Sequence, residues 1–328
     1  MYESFFGLRE RPFDLVPDPR FLYLAPRHRE ALSVLRYGLT TPRGLTVLLG
    51  DAGTGKTTLI RAALAGLDEL DGRFVLLTNP TLTRAEFYES LAREFGMGKE
   101  AATSKSRFLQ EFEKHLENGF RPERPSALVI DEAQSLSGEL LEEIRLLMNI
   151  ETDTVKLLNV VLAGQPELAG RLNQATLRQL KQRVTLRCRL APLDLAETAS
   201  YVAGRLRRAG GSPADIFTKH AVEAVFEASA GIPRTINVLC DNALLGGFAA
   251  QVKPVDADIV EEVCRDFDLP AGGPEPDVAA RTNGDGRQVT AAVEPILPPA
   301  ATGSAGPAGR GQSEMFRLYA RRRRFSFF

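Results

Sequence analysis

Hydrophobic residues follow two different patterns along the chain, and the change falls near residue 190. Before it, short apolar or alternating runs are separated by longer stretches whose apolar spacing is typical of amphipathic helices. The short runs lie at 45–49, 73–78, 127–132, 157–163 and 184–190. Runs of this length between helical stretches are typical of buried parallel strands. The pattern therefore predicts an α/β fold with a parallel sheet as the middle layer of a three-layer sandwich.

From Asp194 onward the pattern is purely helical. Helices are predicted near 195–209, 219–230, 234–250 and 257–267. We therefore expect an α/β domain at 1–191 and a small helical domain, termed the lid, at 192–267. Residues 268–312 are rich in Pro, Gly, Ala and Ser and have little apolar periodicity, which predicts a disordered linker. Residues 313–328 follow as a basic aromatic peptide.

The composition is that of a globular protein able to bury a large core, with 328 residues of which 44% are hydrophobic. There is no apolar run near 18 residues and no signal-peptide pattern at the start, so a cytoplasmic protein without a transmembrane helix is expected. The three cysteines and three histidines are scattered, which gives no reason to expect disulfides or zinc. Because 41 basic residues balance 42 acidic ones, nucleic-acid binding would have to be local.

One segment carries a specific motif, and it stands between the first predicted strand and a helix. Gly50-Asp51-Ala52-Gly53-Thr54-Gly55-Lys56-Thr57, followed by Thr58, fits G-x-x-x-x-G-K-[ST]. Such a loop turns backbone N–H groups and the positive end of a helix toward phosphate oxygens. Lys56 would face the β- and γ-phosphates, and the Thr57 hydroxyl would ligate Mg²⁺. A glycine turn between core elements is the alternative, but the flanking strand and helix favour a nucleotide.

Two acidic residues, Asp131 and Glu132, end the third predicted strand. Ligands of open α/β sheets bind at the carboxyl ends of the strands, so Asp131 is expected to hold the Mg²⁺ shell. Glu132 would then face the water that attacks the γ-phosphate. Two acids after a strand are often a solvated helix start, but the phosphate loop about 75 residues upstream favours the catalytic interpretation.

Two further polar residues are candidates for contact with the nucleotide. Gln165 follows the fourth strand and would lie beside the γ-phosphate, unless its amide caps the helix that starts at Pro166. Asn159 is a poorer candidate because it lies inside that strand. In the lid, Arg234 begins a helix after Gly-Ile-Pro, and from there it can reach back to the nucleotide and close the two domains around it.

The first 30 or so residues, termed the strap, combine aromatic residues with prolines. Proline fixes φ and biases its predecessor away from the helix, so the strap is predicted to lie extended across a surface without forming an element. Its aromatic residues are Phe5, Phe6, Phe13, Phe21 and Tyr23. Core packing is one interpretation of these residues, and a wall for the adenine is the other.

These features together resemble an AAA+ ATPase, a P-loop NTPase with a helical lid. Finer stretches are similar to one branch, the ExeA/GspA-type ATPases of the general secretion pathway, whose relatives are encoded with exosortase, exopolysaccharide and pilus systems. The stretches are 2–19 with FFGLRERPFDLVPDP, 142–153 with EEIRLLMNIETD, 164–168, 179–183 and 231–237. The resemblance covers about residues 1–267 and implies ATP as the ligand and Mg²⁺-dependent hydrolysis.

The resemblance also implies an arginine finger. The clamp-loader branch of AAA+ proteins keeps this residue just before the last strand, where Arg183 stands. Arg183 would approach the γ-phosphate of a neighbouring subunit, which implies a homo-oligomer. Arg178 is the competing candidate, and a surface ion pair is the alternative for either arginine.

The family resemblance implies work on a secretion or export machine at the cell envelope. Secretion members usually continue into a transmembrane helix and a peptidoglycan-binding domain, which this sequence does not show, so direct cell-wall remodelling is not expected. The peptide 313–328 has five arginines and one glutamate, and a peripheral contact with the anionic inner membrane is expected from it. A solvated tail and a peptide that docks on an acidic protein are the alternatives.

Two other functions compete with this interpretation. One is an ATP-dependent DNA-binding regulator that resembles the target-selection ATPases of transposons; the near-neutral ATPase part argues against it. The other is a scaffold that binds ATP without turnover. The scaffold interpretation is disfavoured because the residues expected to carry hydrolysis are all present, namely Lys56, Thr57, Asp131 and Glu132.

Overall fold

The computed structural model describes residues 1–16, 19–42, 44–67, 70–121 and 123–269. The predictions for residues from 270 onward, which cover most of the linker and all of the basic peptide 313–328, lie outside these ranges. The prediction of an α/β domain followed by helices falls almost entirely within them.

In the described part of the chain, five parallel strands form the sheet, as the apolar runs predict. They are β1 (Leu45–Gly50), β2 (Arg73–Leu77), β3 (Ser126–Ile130), β4 (Asn159–Gly164) and β5 (Val184–Leu190). Their spatial order is β2-β3-β4-β1-β5, and every pairing is parallel. The carboxyl ends of β1, β3 and β4 therefore lie side by side at one edge of the sheet. That edge carries the candidate site.

Helices precede, separate and follow the strands, and the four helices predicted for the lid are present with ends that differ by one residue. The helices up to β5 are α1 (Tyr2–Phe6), α2 (Pro26–Thr40), α3 (Lys56–Ala65), α4 (Arg84–Glu94), α5 (Lys105–Gly119), α6 (Gly138–Leu147), α7 (Pro166–Leu172) and α8 (Arg178–Lys181). The lid contributes α9 (Leu195–Arg208), α10 (Pro213–Ile216), α11 (Lys219–Ser229), α12 (Pro233–Ala250) and α13 (Ala257–Asp266). Among the described residues, no helix is both long and apolar enough to span a bilayer.

Several helix starts are stabilised by side chains that the sequence places at the first turn. Thr83 accepts a hydrogen bond from the backbone N–H of Glu86, whose carboxylate accepts one from the N–H of Thr83. Asp194 and Glu197 form the same reciprocal arrangement at the start of α9. Such caps satisfy N–H groups that have no partner inside the helix and contribute about 1 kcal/mol each.

Apolar clusters lie on both faces of the sheet, which confirms the three-layer α/β fold. On one face, α4, α5 and α6 cover the strands with side chains such as Phe87, Phe112 and Ile144. On the other face, α2 and α3 cover them with side chains such as Leu35 and Leu59.

The strap belongs to a third cluster, the core of the lid. Phe13 is 1% exposed, and its ring lies edge-on to that of Phe217 with 6.4 Å between centroids. The prediction of a strap without any element is wrong at its start, because Tyr2–Phe6 form a helical turn. One turn of helix places Tyr2 and Phe6 on the same face, where both are buried. Core packing of these aromatic residues is therefore observed.

The cysteines lie in apolar surroundings. Cys240 and Cys264 are buried in the lid, and Cys188 on β5 is partly buried. Burial raises the pKa of the Cys188 thiol to about 12. A thiol with a raised pKa is a poor nucleophile, so these residues act as small hydrophobic side chains.

Candidate functional site

The phosphate loop, residues 50–57, joins β1 to α3 and is held closed by its own groups. Lys56 is 4% exposed, and its Nζ donates hydrogen bonds to the carbonyl oxygens of Gly50 (2.9 Å) and Asp51 (3.1 Å). Gly53 and Gly55 have φ values of 79° and 96°, in the left-handed region that favours glycine. The loop is therefore a preorganised turn with a cation at its centre, which suits it to a bound phosphate chain.

Thr57 and Asp131 meet across the cleft between α3 and the end of β3. The Thr57 hydroxyl donates to Asp131 Oδ2 at 2.5 Å, although 74 positions separate the two residues. Asp131 is 3% exposed. A hydroxyl and a carboxylate are hard oxygen ligands of the kind Mg²⁺ prefers, so this pair fits the ion that accompanies a nucleotide.

Glu132 is fixed in both its backbone and its side chain. Its φ of 52° and ψ of 36° are left-handed, and its N–H donates to Asp131 Oδ1 at 2.9 Å. Its Oε2 accepts hydrogen bonds from Gln134 Nε2 at 2.5 Å and from Gln165 Nε2 at 3.5 Å. A carboxylate held in this way at the rim of the cavity is suited to orient a water molecule.

Gln165 lies beside Glu132, and its side chain makes no cap to α7. The capping alternative is therefore not what the structure shows. Asn159 lies at the first position of β4, and its Nδ2 donates to the carbonyl of Leu39 at 3.1 Å. That places the Asn159 side chain away from the carboxyl edge of the sheet, which agrees with the expectation that Asn159 is a poorer candidate than Gln165 for contact with the nucleotide.

The lid contacts the phosphate loop directly through Arg234. Its backbone N–H donates to the carbonyl of Gly53 at 3.2 Å, and its exposed side chain lines the cavity. A Cβ on Gly53 would lie 2.8 Å from Arg234 Cβ, so the close approach depends on this glycine. The structure thus brings Arg234 together with the loop residues.

Arg183 lies far from this chain's own cavity. It precedes β5 at the amino end of the sheet, whereas the phosphate loop follows the carboxyl end of β1. Its guanidinium donates to the carbonyl of Met148 at 3.4 Å and to Asn149 Oδ1. Arg178 is exposed on α8. Neither arginine lines the cavity, so any role at a phosphate would have to be played at a neighbouring subunit.

A cavity of about 360 Å³ opens between the phosphate loop, the strap and the lid. The strap lines it with Leu15, Val16, Phe21 and Tyr23, and the lid with Tyr201, Arg205 and Asn237. This shape, with an apolar side beside a phosphate loop, suits a nucleotide base. The core packing and the base-wall interpretation of the strap are thus compatible, because Phe21 belongs to the core of the lid and also lines the cavity.

Four polar residues of this cavity are not predicted from the sequence. His28, at the start of α2, is buried, and its Nε2 lies 3.3 Å from the carbonyl of Thr54. Burial lowers the pKa of its imidazole. Tyr201 donates to Asn237 Oδ1 at 2.8 Å, and Arg205 donates to the Tyr201 hydroxyl at 2.7 Å. No short motif marks these residues, because they come from elements that meet only in the folded chain.

Arg205 links the cavity wall to the strap. Its Nε donates to the carbonyl of Pro12, and its guanidinium carbon lies 5.0 Å from the centroid of the Phe21 ring. A buried guanidinium that hydrogen-bonds to the backbone and stacks on a ring fixes both partners. The strap is therefore held against α9.

Comparison with known proteins agrees with this geometry. Residues 39–172 match the AAA domain family. General secretion pathway protein A from Aeromonas hydrophila is 42% identical over 249 residues, which are 76% of this chain and 45% of that protein. The chain thus spans about half the length of this curated relative.

Two solved structures share the fold. The ORC2 protein of Aeropyrum pernix, in ADPNP and ADP complexes, is similar with a TM-score of 0.58 and 17% identity, over 78% of this chain and 71% of that one. Drosophila ORC bound to DNA is similar with a TM-score of 0.56 and 22% identity, over 79% of this chain and 65% of that one.

The parallel sheet, the phosphate loop and the helical lid define a P-loop protein of the AAA class. Within that class, the chain is similar to the ExeA/GspA type, which general secretion pathway protein A represents, over 76% of its length.

Proposed function

We propose that this protein binds ATP together with Mg²⁺ and hydrolyses it, and that the cycle switches or drives assembly of a secretion, pilus or exopolysaccharide-export machine at the cell envelope. The observation that carries the enzymatic part is one line of contacts at the carboxyl edge of the sheet. In it, Thr57 hydrogen-bonds to Asp131, Asp131 accepts the backbone N–H of Glu132, and Glu132 accepts a hydrogen bond from Gln165.

Each residue along this edge has a distinct task in the proposed reaction. The loop N–H groups and Lys56 hold the β- and γ-phosphates, while Thr57 and Asp131 hold the metal ion. Mg²⁺, when bound, neutralises phosphate charge. Glu132 orients the attacking water, and Gln165 lies where it can contact the γ-phosphate. Arg234 closes the lid on the phosphates from its position beside Gly53.

Two substitutions test this assignment, because they remove different steps. Lys56→Ala removes the cation that opposes the phosphates, so we expect ATP binding to be lost. Glu132→Gln keeps size and hydrogen bonding but removes the carboxylate charge, so binding should persist while turnover falls by about 10² or more. Titration with a fluorescent ATP analogue and a phosphate-release assay measure the two effects. Normal hydrolysis by the Glu132→Gln protein would remove Glu132 from the mechanism.

The envelope partner is supported by the 42% identity to general secretion pathway protein A. We place the protein in the cytoplasm, with a peripheral contact at the inner membrane. The partner can be sought with the Glu132→Gln protein as bait, because it should remain loaded with ATP. Recovery of secretin-associated, exosortase or glycan-export components above the level given by Lys56→Ala supports the proposal. Equal recovery by the two baits contradicts it.

A second candidate function, DNA binding, is favoured by one surface. Residues 168–193 contain no acidic residue. The exposed cations of this segment are Arg178, Lys181, Arg187 and Arg189. Their side chains make no ion pair within the described part of the chain.

A charge-reversal pair separates the two candidates. If the surface binds phosphates of DNA, reversing Arg187 and Arg189 to Glu should weaken duplex binding and reduce the salt dependence by about two phosphates, a slope change of about 1.8. The same reversal at Arg207 and Arg208, exposed at the end of α9, is the control. Fluorescence anisotropy with labelled duplex in ATP gives the answer, and an absence of duplex binding removes the DNA candidate.

A further inference from the structure

Gln134 is the group through which the structure joins Glu132 to the end of the neighbouring strand. It lies in a short 3₁₀ turn, Ala133–Ser135, directly after the two acidic residues. The Nε2 of its amide donates to Glu132 Oε2 at 2.5 Å. The Oε1 of the same amide accepts the backbone N–H of Gln165 at 3.1 Å. One side chain therefore links the carboxyl ends of β3 and β4.

The orientation of this amide is determined at both ends. Rotating it by half a turn would place its oxygen against the Glu132 carboxylate and its NH₂ group against the N–H of Gln165, and both pairs would repel. The main chain of Gln134 is fixed as well, because Arg171 on α7 donates from Nη1 to its carbonyl at 2.5 Å. A Cβ on Gly164 would lie 2.8 Å from Gln134 Oε1, so the glycine permits the close approach.

The arrangement leaves the two oxygens of Glu132 with different surroundings. The donors from Gln134 and Gln165 both go to Oε2. Within the described residues, Oε1 receives no side-chain or backbone donor and remains the oxygen for water. Glu132 lines the cavity, whereas Gln134 does not. Any effect of Gln134 on the reaction must therefore pass through the residues that it contacts, Glu132 and Gln165.

We infer that Gln134 is a positioning residue for hydrolysis, which holds Glu132 in its water-orienting pose and ties that pose to Gln165 at the γ-phosphate end of β4. The inference rests on the proposed ATPase function. Its chemistry is simple: the amide fixes one carboxylate oxygen so that the other faces the attacking water. A loose carboxylate would present the same base in the wrong place, at a cost of about 10²-fold in rate for a misplacement of about 1 Å.

The test uses two variants that remove the link in different ways. Gln134→Glu keeps the shape and the acceptor for Gln165 but replaces the donor with an oxygen that repels Glu132. Gln134→Met keeps the length and removes both hydrogen bonds. For both we expect kcat to fall at least about ten-fold, while the Kd for a fluorescent ATP analogue and the thermal unfolding midpoint stay close to wild type. Gln110→Glu and Gln110→Met, at an exposed position on α5, are the matched controls.

A double substitution distinguishes positioning from a structural role. In the Glu132→Gln background, Gln134→Met should change the residual single-turnover rate by less than about two-fold, because the carboxylate it positions is already gone. A second loss as large as the first, a weakened Kd, or a wild-type kcat in both Gln134 variants would overturn the inference. If the wild-type protein hydrolyses ATP no faster than Lys56→Ala does, the proposed function itself is overturned.

Discussion

At the scale of single residues, Gly231 shows how closely the first residues of the lid approach the turn that precedes α12. Its φ is 73°, and a Cβ added to it would lie 1.9 Å from the carbonyl oxygen of Leu193. The two backbones are also joined by a hydrogen bond from the N–H of Leu193 to the carbonyl of Gly231 at 2.9 Å. Arg234 reaches Gly53 only three residues later. The glycine therefore sets the position of the start of α12 over the phosphate loop.

Gly231→Ala should lower the free energy of unfolding by about 2–4 kcal/mol, since the methyl group clashes with backbone and the positive φ is strained. ATP affinity should fall with it, because Arg234 is displaced. Gly204→Ala in α9 is the control: that site has open space around it, and alanine in a helix should stabilise by about 0.5–1 kcal/mol. Urea denaturation compares the two. If Gly231→Ala leaves the free energy of unfolding unchanged, the start of α12 can move freely.

At the scale of elements, the strap is the piece whose placement differs from what its composition suggests. Its prolines predict an extended segment on a surface, yet Phe6 and Phe13 are 2% and 1% exposed inside the lid core. The buried aromatics give the lid apolar area that its short helices do not supply alone. Cavity residues Phe21 and Tyr23 are held on the same segment.

Phe13→Ala should therefore act at two levels. Removing a fully buried ring is expected to cost about 3–5 kcal/mol, and the loosened strap should also weaken ATP binding although Phe13 does not line the cavity. Phe267→Ala is the matched control, because that ring is 47% exposed at the end of α13. Unfolding and nucleotide titration are measured on both proteins. Unchanged ATP affinity at temperatures where the variant is folded would uncouple the strap from the cavity.

The elements differ in how far the sequence predicts them. The strands and the four long helices of the lid follow local patterns of apolar residues, so their positions are predicted within a few residues. The phosphate loop and Asp131-Glu132 are predicted for the same reason, because motif and flanking strand are contiguous. Gln134, His28 and Tyr201 are not, since their importance arises from contacts between distant segments that one sequence does not display. The destination of the strap depends on such contacts too.

At the scale of the whole molecule, Arg183 raises the question of assembly. It lies at the opposite end of the sheet from the phosphate loop and is tied to Met148 and Asn149. A finger that serves a neighbour must leave its own site free, and this placement meets that condition. We propose that it completes the site of an adjacent subunit in a homo-oligomer.

Arg183→Ala should lower ATP turnover by about 10² or more while ATP binding stays intact, because the finger offsets charge only in the transition state. Mixing provides a sharp test. Arg183→Ala subunits retain Glu132, and Glu132→Gln subunits retain Arg183, so a mixed oligomer contains interfaces with both groups. Turnover should reappear on mixing the two inactive proteins. Arg178→Ala is the comparison. A normal rate for assembled Arg183→Ala protein contradicts the finger.

The peptide 313–328 bears on whether the whole molecule binds to a membrane. Five arginines and one glutamate give it a net charge of +4, from 5 − 1, beside its aromatic residues. We expect weak, salt-sensitive attachment to anionic bilayers, at about 1 kcal/mol for each basic residue near the surface. Cosedimentation with phosphatidylglycerol vesicles compares the full chain with one ending at Gln312. Equal pelleting of both at low salt argues against a membrane contact.

Because the strap, the lid and the phosphate loop line one cavity, the stability of the folded protein should depend on the concentration of nucleotide. The strap and the lid form one wall of the cavity, so a ligand there stabilises whichever state keeps them docked. At a free nucleotide concentration about 100 times Kd, that amounts to about 2.7 kcal/mol, and it vanishes as the nucleotide is depleted. Leu15 and Val16 on the strap are 55% and 70% exposed. We therefore expect proteolytic cleavage to begin near these two residues when the nucleotide is depleted.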